Sequence, residues 1–214
     1  MKSSIFAAAL LVCLPTLPAV AQTDLYDNGP INGEQDAWTV SSGFAVSDSF
    51  ALGSAATVNE VQFESFMFPG DVLESAEVSI TSHEFGGTTF FDQNVNFAAS
   101  NCFNNDFGFN VCTQTGTFNG LQLSAGTYWL SLSNAVINNG DPVYWDENSG
   151  PSLASENTIG TIPSESFTIL GTASSGTGST PEPSALVLFA SGIVGLAGLL
   201  RRRRQSEARN FPSI

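Results

Sequence analysis

The sequence predicts an all-β protein, an antiparallel two-sheet β-sandwich of jelly-roll-like topology with a targeting segment at each end. Between residues 23 and 170, short runs of alternating or of β-branched and aromatic residues recur between clusters of Gly, Asn, Asp and Pro. This pattern is typical of strands joined by turns. The same region contains no long stretch with helical periodicity, whereas both ends of the chain combine apolar stretches with basic residues.

Nine segments have the strand pattern. In the second of them, Phe44, Val46 and Phe50 share one face and Ala45 and Ser47 share the other, so one face is suited to a core. Nine strands separated by turns favour two packed antiparallel sheets. A β-helix is the alternative, but no fixed internal period is present. The nine segments are 37–40, 44–52, 57–68, 76–82, 88–97, 107–118, 127–132, 143–145 and 166–170.

The first twenty-one residues have the three parts of a secretory signal. Lys2 is followed by an apolar stretch over 5–14 and by the small-x-small triplet Ala19-Val20-Ala21. We therefore predict that a signal peptidase cleaves after Ala21, which leaves Gln22 as the first residue of the exported chain.

The charges are segregated along the chain. Residues 22–180 contain eighteen carboxylates and no lysine or arginine, because all six basic residues lie near the termini. Affinity for nucleic acids or anionic lipid headgroups depends on cationic side chains, so the acidic domain is not expected to bind either. Mutual repulsion of the carboxylates favours solubility, and attraction of divalent cations is the alternative.

The C-terminal region divides into four parts. Residues 171–180 are a Gly/Ser/Thr run that predicts a flexible linker after the β domain at 22–170. Residues 184–200 carry no charge and would span about 25 Å as a helix, enough to cross a membrane with flanking residues. The four arginines Arg201, Arg202, Arg203 and Arg204 place the following end in the cytoplasm, with 205–214 as a tail.

Pro181-Glu182-Pro183, the apolar helix and the arginine cluster, in this order, resemble the PEP-CTERM sorting signal of Gram-negative bacteria. The resemblance covers 181–204 and implies recognition by an exosortase-type membrane protease and cleavage near the tripeptide. It also implies transient anchoring in the inner membrane, then transfer to the cell surface or an extracellular matrix, often together with exopolysaccharide. The ten residues after the arginines depart from the pattern, which usually ends soon after them.

Two cysteines remain in the exported domain. Cys102 and Cys112 flank a turn-rich segment, and an oxidising compartment favours a disulfide between such neighbours over free thiols. No histidine lies nearby, which argues against a metal site.

The segment 141–148 combines acidic, amide and aromatic residues. Asp141, Asp146 and Glu147 offer oxygen ligands of the kind that calcium prefers. Tyr144 and Trp145 offer flat faces on which a sugar could stack. The alternative is a turn with a core tryptophan. This segment and 126–132 also resemble parts of the extracellular domains of many PEP-CTERM proteins, which implies no activity.

Candidates for catalysis are few. His83 is the only histidine and stands alone at a predicted strand end, so we expect a structural role. Thr113, Thr115 and Thr117 form one row on one strand, which is not an ice-binding array. We expect a non-enzymatic surface or matrix protein associated with exopolysaccharide or biofilm. The alternatives are a carbohydrate-binding or calcium-dependent adhesion module and, less favoured, a secreted hydrolase that uses paired carboxylates.

Overall fold

Twelve β-strands make up residues 22–174, the part of the chain that the computed structural model describes. The predicted signal peptide, the helix at 184–200, the arginine cluster and the tail lie outside this part. No segment of 22–174 is a helix that is long and apolar enough to cross a membrane. The strands are β1 (Thr23–Asp27), β2 (Ala37–Thr39), β3 (Ala45–Leu52), β4 (Ala56–Met67), β5 (Leu73–His83), β6 (Gly86–Asn104), β7 (Asn110–Leu123), β8 (Gly126–Ile137), β9 (Tyr144–Asp146), β10 (Ala154–Glu156), β11 (Gly160–Ile162) and β12 (Phe167–Ala173).

The strands form one antiparallel sheet that curls back on itself. Its main path is β1-β12-β4-β7-β6-β5-β8-β3-β10-β11, with β9 paired to β4 and β2 paired to β9. The long strand β6 makes the turn possible, because it pairs with β5 up to Asn96 and with β7 from Phe97 onward. One wall therefore contains β1, β12, β4, β7, β9 and β2, and the other contains β5, β8, β3, β10 and β11.

The inner faces of the two walls pack against each other through apolar side chains. Phe50 of β3 lies 6.4 Å, centroid to centroid, from Phe167 of β12, and 6.0 Å from Tyr26 of β1. Val78 and Ile80 of β5 are fully buried in the same core. Burial of each such side chain stabilises the fold by about 1.5–3 kcal/mol, so this interior sets which face of every strand points inward.

The all-β, antiparallel prediction is confirmed for 22–174, and the nine predicted strands correspond to β2–β9 and β12. Three strands were not predicted: β1, β10 and β11. The last two, Ala-Ser-Glu and Gly-Thr-Ile, lack the aromatic residues that indicated the equally short strands β2 and β9. The predicted ends of β6 and β8 are also too early, since β6 continues to Asn104 and β8 to Ile137.

The predicted linker at 171–180 begins too early. Gly171, Thr172 and Ala173 continue β12 and pair with β4. A glycine is needed here for close packing rather than for flexibility, because a Cβ atom at 171 would lie 2.0 Å from the backbone oxygen of Thr57. Only the residues after Ser174 remain as a predicted linker.

The predicted disulfide is present. Cys102, near the end of β6, is bonded to Cys112 of β7, and their Cα atoms are 4.2 Å apart. The bond closes the β6–β7 connection at its base, where Cys112 is buried and Cys102 is exposed.

Candidate functional site

The predicted aromatic platform is divided between two faces of β9. Tyr144 is half-buried, and its ring lies 6.3 Å from that of Phe66 in an edge-on arrangement. Trp145 points the other way and is 0% exposed. Its Nε1 donates a hydrogen bond to the Ser166 carbonyl oxygen at 2.8 Å, and its ring packs against Phe63 and Phe167. The platform prediction is therefore wrong for Trp145, which is the core tryptophan of the alternative interpretation.

The three predicted calcium ligands do not converge. Asp146 and Glu147 follow each other along an extended backbone, so their side chains point in opposite directions. Asp141 lies in the exposed turn before β9, where its Oδ2 accepts a hydrogen bond from Asn139. Within 22–174, no three His, Cys, Asp or Glu side chains are placed to hold a metal ion.

A buried polar network instead connects the two walls at the end where Asn28 leaves β1. Asp48 lies on the inner face of β3 and is 0% exposed. Its Oδ2 accepts hydrogen bonds from the Glu165 backbone nitrogen at 2.8 Å and from Ser164 Oγ at 3.3 Å, and its Oδ1 accepts one from the Ser49 backbone nitrogen. Asn28 Nδ2 donates to the Glu165 carbonyl oxygen at 2.7 Å. The bonds to Asp48 offset part of the cost of burying its carboxyl group, but burial still raises its pKa above the ordinary value.

The Glu165 carboxyl group, unlike that of Asp48, accepts no hydrogen bond from the described residues. It is also 0% exposed. Burial raises the pKa of Glu165 well above its ordinary value, and the nearby carboxyl groups of Glu147, Asp48 and Asp146 raise it further. A protonated Glu165 is therefore the form that this site stabilises.

Asp146 is another buried acid, and it lies on the face of β9 opposite to Trp145. It is 2% exposed, and its Oδ1 has no partner among the described residues. Burial raises the pKa of Asp146 to about 7, and the carboxyl groups of Glu64, Glu147 and Asp36 add to the increase. Asp146 also lines a cleft of about 270 Å³ beside Glu34 and Asp106. Asp146 therefore holds its proton in the folded state up to about neutral pH.

Sequence reasoning missed both Asp48 and Glu165, although each had a signal. Asp48 falls between Val46 and Phe50 on the face of β3 assigned to the core, and Glu165 shares a face with Phe167. An acid at a core position indicates a buried polar interaction, because an unpaired charge there is costly.

His83 and the threonine row lie elsewhere. His83 is exposed at the end of β5, and its ring stacks on Trp129 with a centroid distance of 5.8 Å. Thr113, Thr115 and Thr117 share the outer face of β7, and Thr113 Oγ1 donates a hydrogen bond to Glu64 at 2.9 Å. They form a single row.

Known proteins add one finding about the C-terminal region. No curated protein sequence matches the chain. Residues 179–204 match the PEP-CTERM protein-sorting motif, which includes the Pro181-Glu182-Pro183 tripeptide and the four arginines. This motif implies export, exosortase processing and transient association with the membrane on the way to the cell surface. The chain thus carries a PEP-CTERM sorting motif at 179–204, and this is the functional element that its sequence identifies.

Proposed function

We propose that this protein is a non-enzymatic, jelly-roll-like β-sandwich that an exosortase delivers to the cell surface or to an exopolysaccharide-containing matrix. The observation that carries the proposal is the sorting motif at 179–204, which begins shortly after β12 ends at Ala173.

The positions of the strands support two processing events. β1 begins at Thr23, directly after the predicted signal-peptidase site at Ala21, and β12 ends before Pro181. Cleavage at both places would leave all twelve described strands in the released domain. The disulfide between Cys102 and Cys112 suits an oxidising destination.

The chemistry of the described domain favours a non-enzymatic role. The carboxyl group of Asp146, which has a pKa of about 7, is 2% exposed, so a substrate would have little access to its proton. Ser82 Oγ lies 3.0 Å from His83 Nδ1, the spacing of a serine beside a base. The same oxygen accepts a hydrogen bond from the Thr88 backbone nitrogen, so Ser82 stabilises the β5–β6 hairpin. A hydrolase remains the alternative that a polysaccharide turnover assay with the purified protein would reveal.

The sorting proposal is tested by the intact mass of the protein in the producing bacterium and in a strain that lacks the exosortase. We expect the normal strain to release a chain that begins at Gln22 and ends near Pro181 to Pro183. The deletion strain should retain a membrane-bound chain with the arginine cluster. A surface product that still carries Arg201 to Arg204 in both strains would refute the proposal.

Two variants separate recognition from general export. Replacing Glu182 by alanine within the tripeptide should prevent the C-terminal cut while the N-terminal cut after Ala21 still occurs. Replacing Glu207, which lies outside the matched motif, is the control and should leave both cuts unchanged.

A further inference from the structure

Hydroxyl-bearing residues form a row on the outer face of the wall that contains β5, β8, β3, β10 and β11. Five residues lie directly opposite one another on neighbouring strands: Thr161 of β11, Ser155 of β10, Ser47 of β3, Ser131 of β8 and Ser79 of β5. Directly paired residues share a face, and the alternate residues on these strands are core side chains. The next row along the same face contains Ser49, Trp129 and Thr81.

The hairpin between β5 and β6 bends over this face. His83 stacks on the indole of Trp129, with an interplanar angle of 11°. The adjacent Glu84 reaches across to β10, where its Oε2 accepts a hydrogen bond from Ser155 Oγ at 2.6 Å. The hairpin therefore places the Glu84 carboxylate close to Trp129 of β8. Most of the hydroxyl row beneath is buried: Ser47 is 0% exposed, Ser155 5% and Ser131 6%.

A cleft of about 430 Å³ lies between the hairpin and β10. Its lining includes the half-buried Trp129 and the exposed Glu84, together with hydroxyl-bearing residues and Leu153, which is 70% exposed at the rim. Pockets for small ligands commonly have about 300–1,000 Å³ and combine an aromatic surface with a few polar groups that fix orientation. The hydroxyl-bearing residues are Ser49, Ser152, Ser155 and Thr161.

We propose that this cleft binds a neutral saccharide, with a sugar ring against the indole of Trp129 and a sugar hydroxyl on the carboxylate of Glu84. Sugars present an apolar C–H face and a polar rim, which match an aromatic ring beside hydrogen-bonding groups. A carboxylate accepts about four hydrogen bonds, so Glu84 can serve Ser155 and a ligand together.

The charge of the domain selects among saccharides. Residues 22–180 contain eighteen carboxylates and no lysine or arginine. Anionic polysaccharides would be repelled by this field, whereas neutral ones would not. An organic cation is the competing ligand class, but a single indole is not an aromatic cage. The half-buried Ser49 and the exposed Thr161, which line the cleft, offer hydroxyl groups to a sugar instead.

The test is isothermal titration of the full chain, purified in a detergent without a sugar headgroup, against neutral hexasaccharides of glucose, mannose, galactose and xylose. We expect saturable binding of at least one. Trp129→Ala should weaken that binding about tenfold, which corresponds to about 1.4 kcal/mol. Glu84→Gln should weaken it about fivefold, through loss of a charge-assisted hydrogen bond.

Phe107→Ala is the matched control, because Phe107 is an aromatic residue that is 49% exposed and lies outside the cleft. Its affinity should equal that of the unaltered protein. Glu84 is exposed, so Glu84→Gln tests the cleft even if Trp129→Ala unfolds. The inference is overturned if no neutral hexasaccharide binds, if Glu84→Gln leaves binding unchanged, or if choline or polygalacturonate binds more tightly. None of these outcomes depends on exosortase sorting, so the two proposals fail separately.

Discussion

Replacing Asp146 by asparagine should make the folded protein more stable near neutral pH and should change its stability little in acid. The side chain is 2% exposed, and its Oδ1 has no hydrogen-bond partner among the described residues. Burial, with nearby carboxyl groups, raises the pKa of Asp146 from 3.8 to about 7. The folded state therefore prefers the neutral acid, and asparagine is a neutral side chain of the same shape.

Proton linkage gives the sign and the size of the stability difference between Asp146→Asn and the unaltered protein. Between pH 3.8 and 7 the folded state holds a proton on Asp146 that the unfolded chain has already lost, so stability falls as pH rises. Each unit in this window amounts to about 1.4 kcal/mol, and the two units from pH 4.8 to 6.8 would amount to about 2.7 kcal/mol. Solvent screening beside the cleft lowers this value, so we expect a gain of about 1–3 kcal/mol for Asp146→Asn at pH 6.8 relative to pH 4.8.

Urea unfolding at a series of pH values, followed by tryptophan fluorescence, measures the difference directly. Asp24→Asn is the control, since it removes the same charge from an exposed position on β1. Its stability relative to the unaltered protein should vary little over the same range. The reasoning is refuted if the two variants show the same pH dependence of stability relative to the unaltered protein. It is also refuted if the stability of Asp146→Asn relative to the unaltered protein falls as pH rises from 4.8 to 6.8.

Two further predictions concern the fold itself. Replacing both Cys102 and Cys112 by alanine should lower the free energy of unfolding by about 2–3 kcal/mol, the loop-closure value for a bridge this short, and urea titration of oxidised and reduced protein should give the same difference. Gly171→Ala should cost about 1–3 kcal/mol, because its Cβ would overlap the Thr57 oxygen at 2.0 Å. Gly53→Ala is its control, since no atom lies within 4 Å of a Cβ there; equal melting temperatures for the two glycine variants would contradict the packing argument.

Much of the fold could be predicted because strand signals are local. Alternation along 44–52 identified both β3 and its inward face, and the spacing of Cys102 and Cys112 predicted their bond. The strands β10 and β11 carry no such signal, because they lack the aromatic residues of the equally short β2 and β9. In the folded sheet, β10 pairs with both β11 and β3. The predicted start of the linker at Gly171 was also wrong, because the sequence does not distinguish a glycine required by close packing from a glycine in a flexible segment.

The two Tyr-Trp dipeptides show that local sequence patterns do not predict which aromatic residue is buried. Tyr144-Trp145 and Tyr128-Trp129 are equivalent dipeptides on β-strands, yet Trp145 is fully buried while Trp129 lines a cleft. Because both residues of each dipeptide are aromatic, alternation shows only that they face opposite ways, and the packing of the two walls decides which one faces inward.

The sequence alone determined the all-β class, the acidic exported domain and the sorting motif at 179–204, because composition, periodicity and short motifs are properties of contiguous residues. The tertiary structure alone decided that Asp48 and Glu165 meet inside the core and that Glu84 reaches Ser155. These contacts join residues 117 and 71 positions apart. The first pair meets because the sheet curls from one wall to the other through β6. The second meets because β8 and β3 place β10 in the same wall as β5.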